Sequence, residues 1–195
     1  TLKAGVSGLV VANNIVTTGA GTIDTQANTM TLADSIGGVG SIAKVGTGSL
    51  VLTGASAYTG ATNVNVGTLL VNGSLGNTAV NVASGATLGG TGSIAGTVTI
   101  ADGANLAPGT SPGTLTVGAL NLNAASNLNW DLGQAYAVGG VYNDLVAVTG
   151  NLVLDGLLNV TDSNAFGLGV YQIGTYGGTL TDNGLTVNSL PSPYT

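Results

Sequence analysis

The chain has 195 residues, of which 34 are glycine, a net charge of −6, and a composition that is 44% hydrophobic but only 5% charged. Disordered chains combine low hydrophobicity with high charge, so this composition predicts a folded chain with a sizeable core. Glu, Arg, His and Cys are absent, which excludes Ser-His-Asp and Cys-His catalysis and zinc sites built on His or Cys. Two lysines are too few for a nucleic-acid-binding surface or for binding to an anionic membrane.

The sequence contains no run of about 18 consecutive apolar residues and no basic-then-apolar leader. We therefore expect no membrane insertion by this segment, and we expect any export signal or membrane anchor to lie outside it. The opening segment, residues 1–14, is strand-like, with few charges and no Pro. An unblocked strand edge pairs with other chains, so Val10, within this segment, is a candidate contact residue.

Residues 44–71 read KVGTGSLVLTGASAYTGATNVNVGTLLV, in which Gly recurs between short stretches that alternate apolar and small polar residues. Period-two alternation is typical of half-buried strands, and Gly supplies the positive φ that tight turns need. The segment resembles the autotransporter-associated β-strand repeat, of pattern K-x-G-x-G-x-L-x-L-x-G-x-N-x-Y-x-G-x-T-x-V-x-x-G-x-L-x-V. The matching positions are Lys44, Gly46, Gly48, Leu50, Leu52, Gly54, Tyr58, Gly60, Thr62, Val64, Gly67, Leu69 and Val71. Ser56 departs from the pattern, because the family usually has Asn there.

The resemblance continues more loosely to about residue 160. It implies an autotransporter passenger, a bacterial surface protein built as a long extracellular β-helix and secreted through the outer membrane.

Residues 79–90 and 97–108 share one apolar pattern, and residues 119–130 give a third copy. Displacements of about 18 to 22 residues fit one turn of a solenoid. We therefore predict an all-β fold, a right-handed parallel β-helix of about nine or ten turns. A propeller or sandwich also uses many short strands, but the single Trp-Asp pair, Trp130-Asp131, is too little blade punctuation. The residues predicted to point inward are Leu50, Leu52, Val64, Leu69, Val71, Val80, Val82, Leu88, Val98, Ile100 and Leu106.

The predicted organisation is a single β-helix domain over residues 1–195, with repeats clearest in 40–130. Residues 134–143 carry two Tyr and a Gly pair, which predicts a protruding loop, and residues 144–195 form the C-terminal turns and end. We expect Trp130 to pack at the end of the core. Tyr136 and Tyr142 are candidate contact residues, since exposed aromatic rings stack on sugars or anchor a partner.

The aspartates offer the remaining chemistry. Asp131, Asp144 and Asp155 are the best candidates for a carboxylate pair of a glycosidase, but turn and cap roles are the preferred interpretation. Turn starts are predicted at Asp102-Gly103, Asp155-Gly156 and Asp182-Asn183-Gly184. Asp162 and Asn164 could hold calcium, although a solvated loop is favoured. We therefore expect no catalytic residue, no cofactor and no metal.

The predicted function is that of a non-catalytic extracellular β-helix, the passenger stalk of a surface adhesin in cell adhesion, aggregation or biofilm. One alternative is the subunit of an extracellular filament, assembled head-to-tail through open ends or strand donation. Another is a polysaccharide-binding or polysaccharide-degrading β-helix. The expected partners are neighbouring turns of a longer chain or other copies of it, and surface glycans.

Overall fold

A computed structural model describes residues 1–110 and 112–194. Every regular element in those residues is a β-strand, and the paired strands are parallel. No helix in this part of the chain is long and apolar enough to cross a membrane. The all-β parallel β-helix is therefore confirmed.

In chain order, the first eight strands are β1 (Leu2–Lys3), β2 (Leu9–Val11), β3 (Ile15–Thr17), β4 (Gly21–Asp24), β5 (Thr29–Leu32), β6 (Ile36–Gly38), β7 (Ile42–Val45) and β8 (Ser49–Leu52). The next eight are β9 (Ala55–Ser56), β10 (Thr62–Val64), β11 (Thr68–Val71), β12 (Ser74–Leu75), β13 (Val80–Val82), β14 (Thr87–Gly90), β15 (Ser93–Ile100) and β16 (Asn105–Pro108). The last eight are β17 (Thr114–Leu122), β18 (Asn127–Leu132), β19 (Leu145–Val148), β20 (Leu152–Leu154), β21 (Leu157–Asp162), β22 (Gly174–Tyr176), β23 (Leu180–Asp182) and β24 (Thr186–Ser189).

The strands wind into a solenoid with three faces. The first face stacks β1, β4, β7, β10, β13, the second halves of β15 and β17, β20 and β23. The second face is a nine-stranded sheet of β2, β5, β8, β11, β14, β16, β18, β21 and β24. The third face holds β3, β6, β9, β12, the first halves of β15 and β17, β19 and β22. The described chain thus makes nine turns, of which the last has only β23 and β24.

Apolar side chains of successive turns lie directly above one another inside this coil. The longest such ladder runs along the second face and contains Leu9, Met30, Leu50, Leu69, Leu88, Leu106, Leu128 and Leu158. Val187 continues it on the last turn, where the side chain is exposed. All eleven residues predicted to point inward are buried, none of them more than 3% exposed. Each buried side chain of this kind contributes roughly 1.5 to 3 kcal/mol. The predicted core is therefore confirmed.

A second ladder, of asparagines, runs along the outside of the second face. The side-chain amide of Asn129 donates to Asn105 Oδ1 at 3.3 Å, that of Asn159 donates to Asn129 Oδ1 at 3.0 Å, and that of Asn188 donates to Asn159 Oδ1 at 2.7 Å. An amide both donates and accepts, so one residue type can satisfy itself from turn to turn. Polar side chains thus connect the last four turns of this face.

Candidate functional site

The candidate contact residue Val10 lies in the middle of β2, on the first turn of the coil. It is 58% exposed, whereas its neighbours in the strand, Leu9 and Val11, are half-buried against the core. Elsewhere on the first turn, the end of the core contains a cavity of about 150 Å³ lined mostly by Leu2, Ile15 and other isoleucines. The first turn therefore presents apolar side chains that no strand covers among the described residues.

Tyr136 and Tyr142 lie in the segment 133–144, which connects β18 to β19 and which we call the aromatic loop. Their side chains are 77% and 53% exposed, and Val138 and Val141 of the same loop are also exposed. Four large apolar or aromatic side chains thus face solvent within one short connection. This concentration makes the aromatic loop the strongest candidate contact surface.

Asn143 holds the aromatic loop in shape from within. Its side chain is fully buried; Oδ1 accepts from the backbone N–H of Gly133 at 2.8 Å and of Gln134 at 3.2 Å. The amide nitrogen donates to the carbonyls of Gln134 and Ala137, both at 2.8 Å. A buried amide with all four hydrogen bonds made fixes the backbone around it.

Asp144 follows directly and is only 2% exposed. Its Oδ1 accepts from the N–H of Gly113 at 2.7 Å, and its Oδ2 accepts from the N–H of Asp131 at 2.8 Å. Burial raises the pKa of this carboxyl to about 6, although both hydrogen bonds favour the charged form. Asp144 therefore connects β18, the aromatic loop and the chain before β17. This contact between distant segments was not predicted from the sequence.

The other aspartates act mainly on backbone N–H groups. Asp155 Oδ1 accepts from Gly156 at 2.8 Å and Asp182 Oδ1 from Gly184 at 3.0 Å, as the predicted turn roles require. Asp102 differs, because its Oδ1 accepts at 2.9 Å from Ala125, which belongs to the next turn of the coil.

Asp162, the candidate calcium ligand, caps the loop that follows β21. Its Oδ1 accepts from the N–H groups of Asn164, Ala165 and Phe166 at 2.7, 3.1 and 3.0 Å, and these bonds hold the pKa of the carboxyl below its usual range. Within residues 1–110 and 112–194, no group of three or more His, Cys, Asp or Glu could hold a metal ion.

Lys44 is the feature that sequence reasoning missed. It lies on β7 and points into the core, stacked between Ile23 of the preceding turn and Val64 of the following one. The residue is fully buried, and its Nζ donates to the carbonyls of Gly46 and Val66 at 2.8 Å each. A third, longer bond of 3.2 Å goes to the carbonyl of Val45. We call this arrangement the lysine cage.

Burial of the ammonium lowers the pKa of Lys44 to about 8, and the nearby carboxylate of Asp24 opposes the shift. The signal for an inward lysine was present in the sequence, since Lys44 has the same strand parity as the apolar Ile42. It was missed because a lysine in an alternating pattern is ordinarily assigned to the solvent side.

Gly67 closes the lysine cage. Its φ is +73°, and an added Cβ would lie 2.8 Å from Lys44 Nζ and 2.5 Å from each of the carbonyl oxygens of Gly46 and Gly48. Real Cβ atoms do not approach backbone oxygens this closely, and the positive φ is itself unfavourable for other residues. Only glycine therefore fits at position 67.

The segment that contains the lysine cage is similar to a known protein family. Residues 42–71 match the family described as Passenger-associated-transport-repeat. We refer to these residues as the transport repeat, after the family that they match. They comprise β7 to β11, and the lysine cage lies within them. The resemblance to autotransporter passengers with such repeats is thereby confirmed.

A relative supports the same assignment over a longer stretch. The chain is 50% identical over 99 residues to a protein named "Adhesin BmaC autotransporter" from Brucella suis biovar 1 (strain 1330). The match covers 49% of this chain but only 3% of that protein. The chain therefore corresponds to a small part of this relative.

The other polar residues at positions of the family pattern, Ser56, Tyr58 and Thr62, are also buried. Tyr58 is 1% exposed and shares a hydrogen bond with the hydroxyl of Thr62, which lies 3.3 Å from that of Thr78. Thr78 in turn donates to the carbonyl of Gly60 at 2.6 Å. At the position where the family has Asn, the hydroxyl of Ser56 accepts from the N–H of Ile36 at 3.0 Å. The transport repeat thus uses its polar residues to connect turns.

Proposed function

We propose that this chain is a non-catalytic part of the passenger of an autotransporter adhesin, displayed at the cell surface after secretion through the outer membrane. The observation that carries the proposal is a transport repeat built into a continuous β-helix, in a chain 50% identical over 99 residues to an autotransporter adhesin. Nine turns at about 4.8 Å give a rod on the order of 40 Å long. A rod of this kind holds a contact surface away from the membrane.

The polar chemistry of the chain favours a structural role over turnover. Both oxygens of Asp144 accept from backbone N–H groups, and Asp155 caps its own turn. Acid-base catalysis needs a titratable group within reach of a substrate, and Asp144 is buried. Hydrolysis of a polysaccharide by the purified chain, abolished by Asp144→Asn, would contradict the non-catalytic role.

Residues 1–195 act in this proposal as one β-helix domain, with the aromatic loop projecting from it. The partners of its ends are neighbouring turns of a longer chain, because the first turn leaves Leu2 and Ile15 only half-buried beside an apolar cavity. The alternative, a filament subunit, is favoured by the exposed edge strand that contains Val10. Val10→Pro removes a backbone donor there and should weaken any self-assembly seen by negative-stain microscopy. Long particles that persist unchanged in this variant would argue against strand-edge assembly.

The proposal can be tested by measuring the adhesion of protein-coated beads to cells. Beads coated with the folded chain are expected to adhere to host cells or to aggregate bacteria more than beads coated with chemically unfolded chain. A Tyr136→Ala, Tyr142→Ala double variant should reduce this adhesion, since these side chains make up the exposed aromatic surface. Equal adhesion of folded and unfolded chain would refute the proposed function.

A further inference from the structure

A groove lies between the aromatic loop and the segment that leads into β22. One wall is formed by residues 136–138 and the other by residues 170–172, and the groove has a volume of about 460 Å³. The walls are tied together by the backbone, because the N–H of Tyr136 donates to the carbonyl of Val170 at 2.9 Å and Val138 forms a parallel bridge with Gln172. Backbone hydrogen bonds therefore hold the two walls of the groove together.

The tyrosine at its mouth is held in a fixed position. Tyr136 has a φ of +65°, a conformation that a bulky residue rarely adopts and that is concentrated at functional sites. Gly169 makes room for it: an added Cβ would lie 2.4 Å from Ala135 Cβ and 3.1 Å from Tyr136 Cε2. Asn143 fixes the other end of the same loop. The ring is thus presented to solvent, 77% exposed, by a backbone that is hydrogen-bonded on both sides.

The chemistry of the groove selects its ligand. No charged residue occurs in 132–143 or in 163–181, so nothing in these segments would recognise a sulfated, sialylated or phosphorylated ligand. The groove offers instead the exposed ring of Tyr136, apolar contact from Val138 and Val170, and the exposed amide of Gln172. Tyr171 also lines it, with one face of its ring stacked on Phe166. A flat apolar face beside hydroxyl groups is the surface that these side chains complement.

Size argues for a small ligand over a protein. The groove is lined by six residues. Stable protein interfaces use roughly 20 to 30 residues on each side, whereas ligand pockets of about 300 to 1,000 Å³ are common. We infer that this groove binds a neutral sugar unit of a surface glycan, with the Tyr136 ring against the apolar face of the sugar and the Gln172 amide bonded to its hydroxyls. The inference rests on the proposed function, since it names the partner of the adhesin surface.

The test uses the full chain on an array of neutral oligosaccharides, including glucans, mannans, galactans and N-acetylglucosamine oligomers, beside sialylated and sulfated ones. We expect binding to at least one neutral oligosaccharide, and calorimetry should show roughly three- to tenfold weaker binding for Tyr136→Ala, the range expected for one aromatic stack. The matched control is Tyr176→Ala, which removes a tyrosine that is also exposed but does not line this groove.

A second pair of variants tests the geometry. Gly169→Ala should weaken binding by displacing the tyrosine, whereas Gly167→Ala should not, because a Cβ there would have no neighbour closer than 3.9 Å. Thermal unfolding confirms that each variant is folded. Binding only to anionic glycans, binding to none, or binding unchanged in Tyr136→Ala and Gly169→Ala would overturn the inference. Adhesion of coated beads without any neutral glycan binding would overturn the inference alone and leave the proposed function standing.

Discussion

The lysine cage makes a prediction about alkaline pH. In the folded chain the pKa of Lys44 is about 8, against 10.5 for a free lysine. Between these values the unfolded chain binds more protons than the folded chain, so stability rises with pH in this window. A difference of about 2.5 pKa units corresponds to about 3 kcal/mol, which is the cost of keeping the ammonium buried at neutral pH.

Lys44→Met removes that cost but also removes the donor. The carbonyls of Gly46 and Val66 lose the two shortest bonds of the cage, at about 1 to 3 kcal/mol for each buried acceptor left without a partner. At pH 7 the two effects partly cancel, so we expect the stability of the variant to lie between about 1 kcal/mol above and about 3 kcal/mol below that of the wild type. At pH 10 the wild-type amine is neutral and still donates, so the deficit of the variant should grow by up to about 3 kcal/mol.

The assay is urea unfolding of both proteins at four pH values between 7 and 10, followed by far-UV circular dichroism. Buried Tyr58, whose pKa is raised, titrates in both proteins and cancels in the difference. Lys3→Met is the control, because Lys3 is exposed and lies 4.0 Å from Asp24 Oδ2 at the surface. If the stability difference between wild type and Lys44→Met is independent of pH, the burial of a charged Lys44 is refuted.

Three further predictions concern stability. Gly67→Ala should reduce the free energy of unfolding by at least about 2 kcal/mol more than Gly85→Ala does. Both glycines have a positive φ, but a Cβ at position 85 would meet nothing within 4 Å. Equal losses of stability in a denaturant titration would show that the cage can relax. Ile100→Asp should destabilise the chain by more than about 4 kcal/mol, because it buries an unpaired carboxylate. Thr97→Asp, which points outward on the same strand, should change the midpoint of denaturant unfolding little. Similar midpoints for the two variants would place Ile100 outside the core. The folded-state pKa of Asp144 is raised from 3.8 to about 6, so its contribution to stability falls by about 3 kcal/mol as pH rises through this window. The measurement is the difference in free energy of unfolding between wild type and Asp144→Asn. A difference that stayed constant from pH 4 to 6 would refute the prediction.

The sequence predicted the regular part of this molecule well. Strand alternation fixes which side chains point inward, and parallel stacking places equivalent positions above one another, so Leu50, Leu69 and Leu88 could be assigned to one ladder without coordinates. The fold class followed from the same period. Trp130 was also predicted to pack, and its indole N–H donates to the carbonyl of Ile173 at 3.1 Å.

What escaped prediction depends on contacts between residues far apart in sequence. The partner of Tyr136 is Val170, across the whole of β19 to β21, and no repeat spacing relates the two. Asp102 has a favourable turn sequence, yet its carboxylate bonds to the next turn instead of its own. The burial of Lys44 escaped prediction for a different reason. The strand alternation favours an inward side chain, whereas the charge favours an outward one. The three carbonyl acceptors, which only the structure shows, explain why the side chain points inward.

The lysine cage also bears on how the coil is assembled. Nζ takes two acceptors from its own turn, Val45 and Gly46, and one from the turn after it, Val66. A partly wound chain in which β10 has not yet docked leaves this ammonium beside apolar side chains with an incomplete set of acceptors. Such an intermediate gains stability either by unwinding its last turn or by adding the next one. The cage therefore disfavours a chain that is wound only as far as the third turn, because the Val66 carbonyl that completes the set of acceptors belongs to the fourth.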